Sequence, residues 1–181
     1  MAGQHGRTLH RKIQHGASNI IILKRHKLAG VLGYSVIHAV HNSVSGKEQY
    51  EIVPTFGIDY EYWLSHKWAI GTYNEFAFIN IEVEKNEEEY LKRENVRLFS
   101  GVVVFEPISR LSVFVGTGVE TDPHHTLMVA YMGTEYAFIR SDNWEVSIGA
   151  GYIYKEFYDA FTFGVVIGRR FGKAIPSKHH E

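Results

Sequence analysis

The sequence contains no cysteine, which excludes a disulfide framework, a thiolate metal site and a cysteine nucleophile. It also lacks any apolar run near the roughly 20 residues that a membrane-spanning helix needs. The net charge is only -1 over 181 residues, so the basic footprint of a nucleic-acid-binding protein is missing and no nucleic-acid partner is predicted. The length is that of a single domain.

Aromatic residues, in contrast, are abundant. They make up 14% of the chain, with 11 tyrosines and 11 phenylalanines, and they favour strands over helices. Extended apolar segments alternate with short polar ones and predict an all-β chain. Most of the segments reach the ~9–11 residues with which a tilted strand crosses a bilayer. The eight predicted strands are 27–40, 50–64, 68–83, 96–105, 111–120, 126–140, 144–155 and 160–171.

The connections between these strands alternate in length. Three are tight, at 65–67, 106–110 and 141–143. The others are moderate to long, at 41–49, 84–95, 122–125 and 156–159. Short turns at one end and longer loops at the other are typical of an antiparallel up-and-down transmembrane barrel.

The two ends of the chain fall outside the alternating pattern. Residues 1–26 are basic and lack the apolar core of a secretory signal, and we expect them to form a flexible N-terminal segment. The predicted domain organisation is therefore this segment, a β-barrel domain at 27–171 and a C-terminal tail at 172–181.

The two faces of each predicted strand differ in chemistry. In the seventh strand one face carries Trp144, Ile148 and Tyr152, whereas the other carries Glu145 and Lys155 together with serine and glycine. The interior of an eight-stranded barrel is only wide enough for ordinary side chains to fill it. We therefore expect glycine and charge in the lumen and the bulky face towards lipid. A soluble lipocalin-like carrier needs the opposite arrangement and is one alternative.

The inward face is predicted to hold a network of charges, which must be paired or neutralised when they are buried. It can act as a salt-bridged plug or line a narrow, porin-like passage for polar solutes, and we favour the plug. The predicted members are Glu51, Asp59, Glu61, Glu75, Arg97, Glu120, Glu135, Glu145, Lys155 and Arg170.

The aromatic residues concentrate near the strand ends. Girdles of aromatic side chains at both membrane interfaces are a feature of transmembrane barrels. The predicted interface aromatics are Tyr60, Tyr62, Trp68, Trp144, Tyr152, Tyr154 and Phe171.

The closing segment, an alternating strand over 161–171 that ends in Phe171, resembles the terminal strand of small eight-stranded bacterial outer-membrane β-barrel proteins. Gly133-Thr134-Glu135-Tyr136 and Trp68-Ala69-Ile70-Gly71 also resemble that superfamily. In the family the aromatic residue is usually the last one, whereas here ten residues follow it.

The resemblance implies a place in the outer membrane of a Gram-negative cell, as a monomer in contact with outer-membrane lipid and lipopolysaccharide. It also implies that the barrel-assembly machinery reads the C-terminal strand. The roles found in the family are structural, surface-interacting or narrow-passage, and a few members are lipid-modifying enzymes. No cofactor is implied.

Two loops carry candidate chemistry. His41, Ser43 and Glu48 follow the first predicted strand and match the His/Ser/acid set of lipid A deacylases, in which a base activates the hydroxyl. A solvated loop is the alternative, and we expect a protein that is not an enzyme. His124 and His125 follow Asp122-Pro123 and are the candidate ligands for a divalent metal, although no metal site is predicted.

Overall fold

The structure, a computed structural model, describes residues 24–42, 47–86 and 89–175. The strands are β1 (Lys24–Asn42), β2 (Lys47–Trp63), β3 (Trp68–Asn86), β4 (Glu89–Ile108), β5 (Leu111–Thr121), β6 (Thr126–Arg140), β7 (Trp144–Lys155) and β8 (Ala160–Ala174). Each strand pairs antiparallel with the next, and β8 pairs with β1 to close the barrel. The predicted fold class is confirmed. Among the described residues, no helix is long and apolar enough to cross a membrane.

The strands are staggered around the barrel. Following paired residues once round from His26 leads back to Val36, ten residues further along β1. A stagger of this kind accompanies a strand tilt of about 35–45°. The route passes through Tyr62, Ile70, Val103, Val115, Met132, Tyr152 and Phe161.

The first four strands extend beyond their predicted ends. The predicted loops at 41–49 and 84–95 are mostly strand, because β1–β2 pairing continues to Asn42 and Lys47 and β3–β4 pairing continues to Asn86 and Glu89. These segments lack the regular apolar alternation on which the strand prediction depends, so the sequence pattern did not mark them as strand. The loop end of the barrel therefore carries two long hairpins. They are linked by a pairing of Val40 in β1 with Val83 in β3.

The outer strands also reach further at the opposite end. Lys24 in β1 pairs with Ala174 in β8. Residues 24–26 and 172–174, which we had assigned to the flanking segments, therefore belong to the barrel ladder. The domain boundaries move outwards by three residues on each side.

The outer face of the barrel is apolar along its length. On every strand, exposed large apolar side chains alternate with buried side chains, and Leu32, for example, is 63% exposed. This apolar exterior is the reverse of the polar exterior that a lipocalin-like carrier needs, and the interior holds both apolar and charged side chains. Outward-facing residues include Leu28, Ile58, Ile70, Val103, Val115, Met132, Ile148, Phe163 and Ile167.

Glycine on the inner face of β5 allows β4 and β5 to approach closely. A Cβ atom added to Gly116 would lie 2.2 Å from the carbonyl oxygen of Gly101, and one added to Gly118 would lie 2.0 Å from that of Phe99. Gly101, in contrast, has nothing within 4 Å of an added Cβ. Glycine is thus required at Gly116 and Gly118 by the packing of the two strands, whereas Gly101 has room for a side chain.

We expect Gly116→Ala to lower the free energy of unfolding by about 1–3 kcal/mol, because the added methyl group forces two backbones apart. Gly101→Ala is the matched control. Both changes remove the same entropy from the unfolded chain, so the difference between them isolates the clash. Urea unfolding in detergent micelles, followed by tryptophan fluorescence, measures it. Equal stability of the two variants would contradict the close approach.

Candidate functional site

Lys27 lies at the centre of a buried charge cluster near the short-turn end of the barrel. Its Nζ atom is 2.7 Å from Glu135 Oε1, 2.9 Å from Glu145 Oε1 and 3.3 Å from Glu61 Oε1. The four residues come from β1, β2, β6 and β7, and all four are buried. One ammonium group therefore joins four strands across the lumen.

Two arginines extend this cluster. Arg140 Nε lies 2.5 Å from Glu145 Oε2, and Arg170 Nη2 lies 3.2 Å from the same oxygen. Arg140 also donates from both Nη atoms to the two carboxylate oxygens of Glu106, at 2.8 and 2.9 Å. Paired donors of this kind are among the stronger ion-pair geometries. We call Lys27, Glu61, Glu106, Glu135, Arg140, Glu145 and Arg170 the short-turn network.

Neutral groups complete the hydrogen bonding of this network. Trp63 Nε1 donates to Glu61 Oε2 at 2.7 Å, and the Tyr73 hydroxyl donates to Glu61 Oε1 at 2.8 Å. The Arg170 guanidinium lies 4.7 Å from the centroid of the Trp63 ring. This cation–π contact is significant because Arg170 Nε and Nη1 have no hydrogen-bond partner among the described residues.

Three aromatic rings cross the middle of the lumen. Phe114 packs edge-to-face against Tyr73 and Tyr131, with ring centroids 5.0 Å apart in each case. The Tyr73 and Tyr131 centroids are 6.4 Å apart. These rings belong to β3, β5 and β6. We call them the aromatic layer.

Small cavities lie beside the aromatic layer. One of them has a volume of about 40 Å³ and is lined by Asp59, Glu75 and Glu135 among others. That space holds only a few waters. Asp59 Oδ1 accepts the Asn74 backbone N–H at 3.2 Å, and Glu75 Oε1 accepts the Ser35 hydroxyl at 3.0 Å. The structure gives neither carboxylate a salt bridge to another described residue.

A second charge cluster fills the loop end of the lumen. The Glu120 carboxylate oxygens lie 2.5 Å from Lys155 Nζ and 2.9 Å from Arg93 Nη2, and the Tyr158 hydroxyl donates to the same carboxylate. Arg93 Nη1 also lies 2.6 Å from Asp122 Oδ2. Burial and the Glu120 carboxylate raise the pKa of the Tyr158 phenol, so the phenol stays protonated and donates. We call Arg93, Glu120, Asp122, Lys155 and Tyr158 the loop-end network.

Eight of the ten predicted lumen residues lie on the inner face. Two predicted members are wrong. Arg97 is exposed on the outer face of β4, because its neighbours Val96 and Leu98 are the buried ones. Glu51 shares the strand phase of the buried Val53 but is exposed, since β2 continues past the rim of the barrel. The eight are Asp59, Glu61, Glu75, Glu120, Glu135, Glu145, Lys155 and Arg170.

Sequence reasoning missed several members of these networks. Lys27 was missed because both faces of the first strand are apolar nearby, so its phase was ambiguous. Arg93 was missed because it lay in a predicted loop, and Glu106 because it lay in a predicted turn. Arg140 closes the sixth strand, where the alternation ends. The one signal for Arg140 was the predicted inward position of Glu145, since a buried carboxylate requires a cation nearby.

The predicted interface aromatics all lie on the outer face. At the short-turn end Tyr60, Trp68, Trp144 and Phe171 are exposed. His26 adds to this group, with its ring stacked on Phe171 at 5.2 Å between centroids. Tyr62 is half-buried beside His26, also at 5.2 Å. Tyr152 and Tyr154 are exposed nearer the loop end.

The loop candidates stand as follows. Ser43 lies outside the described residues, as do the side chains of His41 and Glu48, whose backbones pair across β1 and β2. The enzyme alternative therefore stays a prediction. His124 and His125 are exposed, and both backbone N–H groups donate to Asp122 Oδ1 at 2.7 Å. In the described ranges, no group of three or more histidine or carboxylate side chains is placed to hold a metal.

Comparison with known proteins finds similarity in the fold. No family model matches the sequence, and no curated protein matches it either. The barrel is similar to the solved structure of Ail, the attachment invasion locus protein of Yersinia pestis, with a TM-score of 0.51 and 14% identity. That match covers 83% of this chain and 100% of Ail.

Two further solved barrels are similar over a comparable length. Neisserial surface protein A matches with a TM-score of 0.48 and 11% identity, over 81% of this chain and 97% of its own. The N-terminal β-barrel domain of Pseudomonas aeruginosa OprF matches with a TM-score of 0.46 and 12% identity, over 82% and 99%. At these identities the likeness to Ail concerns the fold, which is that of small eight-stranded outer-membrane β-barrels.

We expect Lys27→Met to lower the free energy of unfolding by about 3–5 kcal/mol, because it leaves Glu135 buried without its cation. Lys67→Met, at an exposed lysine in the β2–β3 turn, is the matched control and should change little. Adding Glu135→Gln to Lys27→Met should recover part of the loss. Urea titration in zwitterionic micelles provides the measurement. Equal midpoints for the two single variants would show that the Lys27 ion pairs contribute nothing.

Proposed function

We propose that this protein is an integral outer-membrane β-barrel with a closed lumen, acting as a structural or surface-interacting protein and not as a passage for solutes. One observation carries the proposal. The buried charged side chains form two paired networks inside the barrel, while large apolar side chains cover its outer face.

The outer face is suited to lipid and poorly suited to water. Contiguous apolar surface of more than a few hundred Å² is rare on soluble monomers, and here every strand of the barrel exposes large apolar side chains. Aromatic residues border this surface at the short-turn end and again near Tyr152 and Tyr154. Girdles of this kind sit at the two membrane interfaces of transmembrane barrels. The shared fold with Ail is consistent with the same environment.

The inner face supports a plug. The short-turn network, the aromatic layer and the loop-end network lie one above another along the barrel axis. The cavities between them hold only a few waters. An ion passing through would have to displace paired charges and separate packed rings. Because the charges of both networks are held by oppositely charged neighbours, the interior stabilises the barrel and obstructs the path.

The loop end supports a role at the cell surface. In outer-membrane barrels the short turns face the periplasm and the longer loops face outwards. With that orientation, the long β1–β2 and β3–β4 hairpins project beyond the outer leaflet, where they can meet lipopolysaccharide or another partner. At the other end, β8 brings the outward-facing Phe171 to the position from which the barrel-assembly machinery would read it.

The membrane assignment predicts that the purified chain requires detergent or lipid. We expect folded protein in micelles to migrate faster than boiled protein on a denaturing gel, because the closed barrel resists detergent until it is heated. Removal of detergent should precipitate it, since the outer face has no other cover. A chain that stays monodisperse in plain buffer would overturn the proposal.

The plug predicts an electrically silent barrel. We expect no stable conductance steps from the wild-type protein in a planar bilayer, because the lumen lacks a continuous water column. The double variant Phe114→Ala/Tyr131→Ala removes two rings of the aromatic layer and should produce measurable current. Heat-dependent gel mobility confirms beforehand that the variant is folded. Steady wild-type conductance in folded protein would instead support the passage.

A further inference from the structure

The short-turn end of the barrel carries exposed and half-buried positive charges that take no part in the interior networks. Its cations make no ion pair with another described residue, and Asp142 is the one exposed carboxylate among the described residues of this end. We call this set the cationic rim. Its members are Lys24, Arg25, Lys67, Arg110, Arg169 and Lys173.

Arg169 is the member that faces the membrane. It lies on the outer face of β8, paired with Leu28 on one side and Trp144 on the other, and both of these neighbours are about half exposed. Its guanidinium lies 5.8 Å from the centroid of the Trp144 ring. Phe171 follows on the same face, closer to the end of the barrel. Arg169 is thus level with the aromatic residues, which mark the depth of the lipid headgroups.

Two lysines lie further towards the short-turn end of β1 and β8. Lys173 is exposed and follows Phe171 and Gly172 in β8, and Lys24 pairs with Ala174 across β1 and β8, beyond a shift in their register. Lys24 Nζ donates to Asn143 Oδ1, at 2.5 Å, in the turn before Trp144. Three cations and an indole therefore lie towards the same end of β7, β8 and β1.

We propose that Arg169, Trp144, Lys24 and Lys173 form a binding surface for the phosphate headgroup of an anionic phospholipid, in the leaflet at the short-turn end. This inference rests on the proposed function, because it requires that the outer face be in a bilayer. A guanidinium presents paired donors that match phosphate oxygens. The lysines add point charge, and the indole anchors at headgroup depth.

The physical basis of this site is the free-energy cost of placing an arginine on the lipid-facing side of the barrel. That cost is largest at the midplane of the bilayer and falls near the interface. A headgroup phosphate supplies the counter-charge that no described residue supplies. Lipopolysaccharide is not the expected occupant, because in the proposed orientation it lies in the opposite leaflet. Exposed cations also attract anionic lipid through the surface potential of the leaflet.

Arg97 provides an internal comparison. It too is exposed on the outer face, but it lies near the loop end, where it pairs with Phe76 and Thr121. It shares the charge and the lipid-facing side of Arg169 without the neighbouring indole and lysines. A difference between Arg169→Gln and Arg97→Gln therefore reports the site and not the mere loss of one positive charge.

The test uses the full chain in nanodiscs of equimolar phosphatidylcholine and phosphatidylglycerol, with native mass spectrometry to count the lipids that remain bound. We expect the wild-type protein to retain phosphatidylglycerol several-fold above its share of the mixture. Arg169→Gln should reduce that enrichment to near the mixing ratio, while Arg97→Gln should leave it intact. Lys24→Gln/Lys173→Gln should reduce it in part.

Three results would overturn the inference. One is wild-type protein that inserts but retains the two lipids in their mixing ratio, which leaves the proposed function standing. Another is an Arg169→Gln variant that retains phosphatidylglycerol with the same enrichment as the wild type. The third is displacement of bound lipid by sn-glycerol 3-phosphate at concentrations equal to those of the lipid, which would mean a site for free phosphate. Wild-type protein that fails to insert at all would overturn the proposed function together with this inference.

Discussion

The contact of Lys27 with Glu61, Glu135 and Glu145 is the interaction on which the interior depends. An eight-stranded barrel is too narrow to keep a charged side chain hydrated at its centre, so each ionised group must find a partner of opposite charge. Lys27 meets this requirement for three carboxylates at once, and Arg140 and Arg170 then meet the remaining need of Glu145. The aromatic layer and the loop-end network are built outwards from this centre.

The same narrowness explains why the two faces of each strand differ so strongly. The lumen has room for some large side chains, such as Trp63 and the three rings of the aromatic layer, and glycine lets β4 and β5 approach closely at Gly116 and Gly118. The remaining large apolar side chains lie on the outside, where a bilayer accepts them. The apolar exterior and the paired interior are two consequences of one geometric limit.

The fold could be predicted from the sequence because alternation repeats strand after strand, and in β7 it places Glu145 and Lys155 correctly. Alternation cannot show which face a side chain occupies where the pattern is broken or absent. Arg97 was placed inside because the phase of β4 is hard to fix near Asn95, which has a positive φ of 50°. Lys27, Arg93 and Arg140 were missed for related reasons, and pairings between distant strands leave no mark on local sequence.

The origin of the partners of Lys27 also governs how the barrel can assemble. Lys27 and Glu135 are separated by 108 residues, and β1 meets β8 only when the barrel closes. Contacts of such long range form late, after the entropy of closing the chain has been lost. Until that moment Glu135 cannot reach Lys27, although Glu61 already lies opposite the lysine in the β1–β2 pair and Glu145 lies opposite Arg140 in the β6–β7 pair. Closure of the last seam and dehydration of the lumen are therefore a single step, and an unclosed sheet must keep its polar face wet while its other face already lies against lipid.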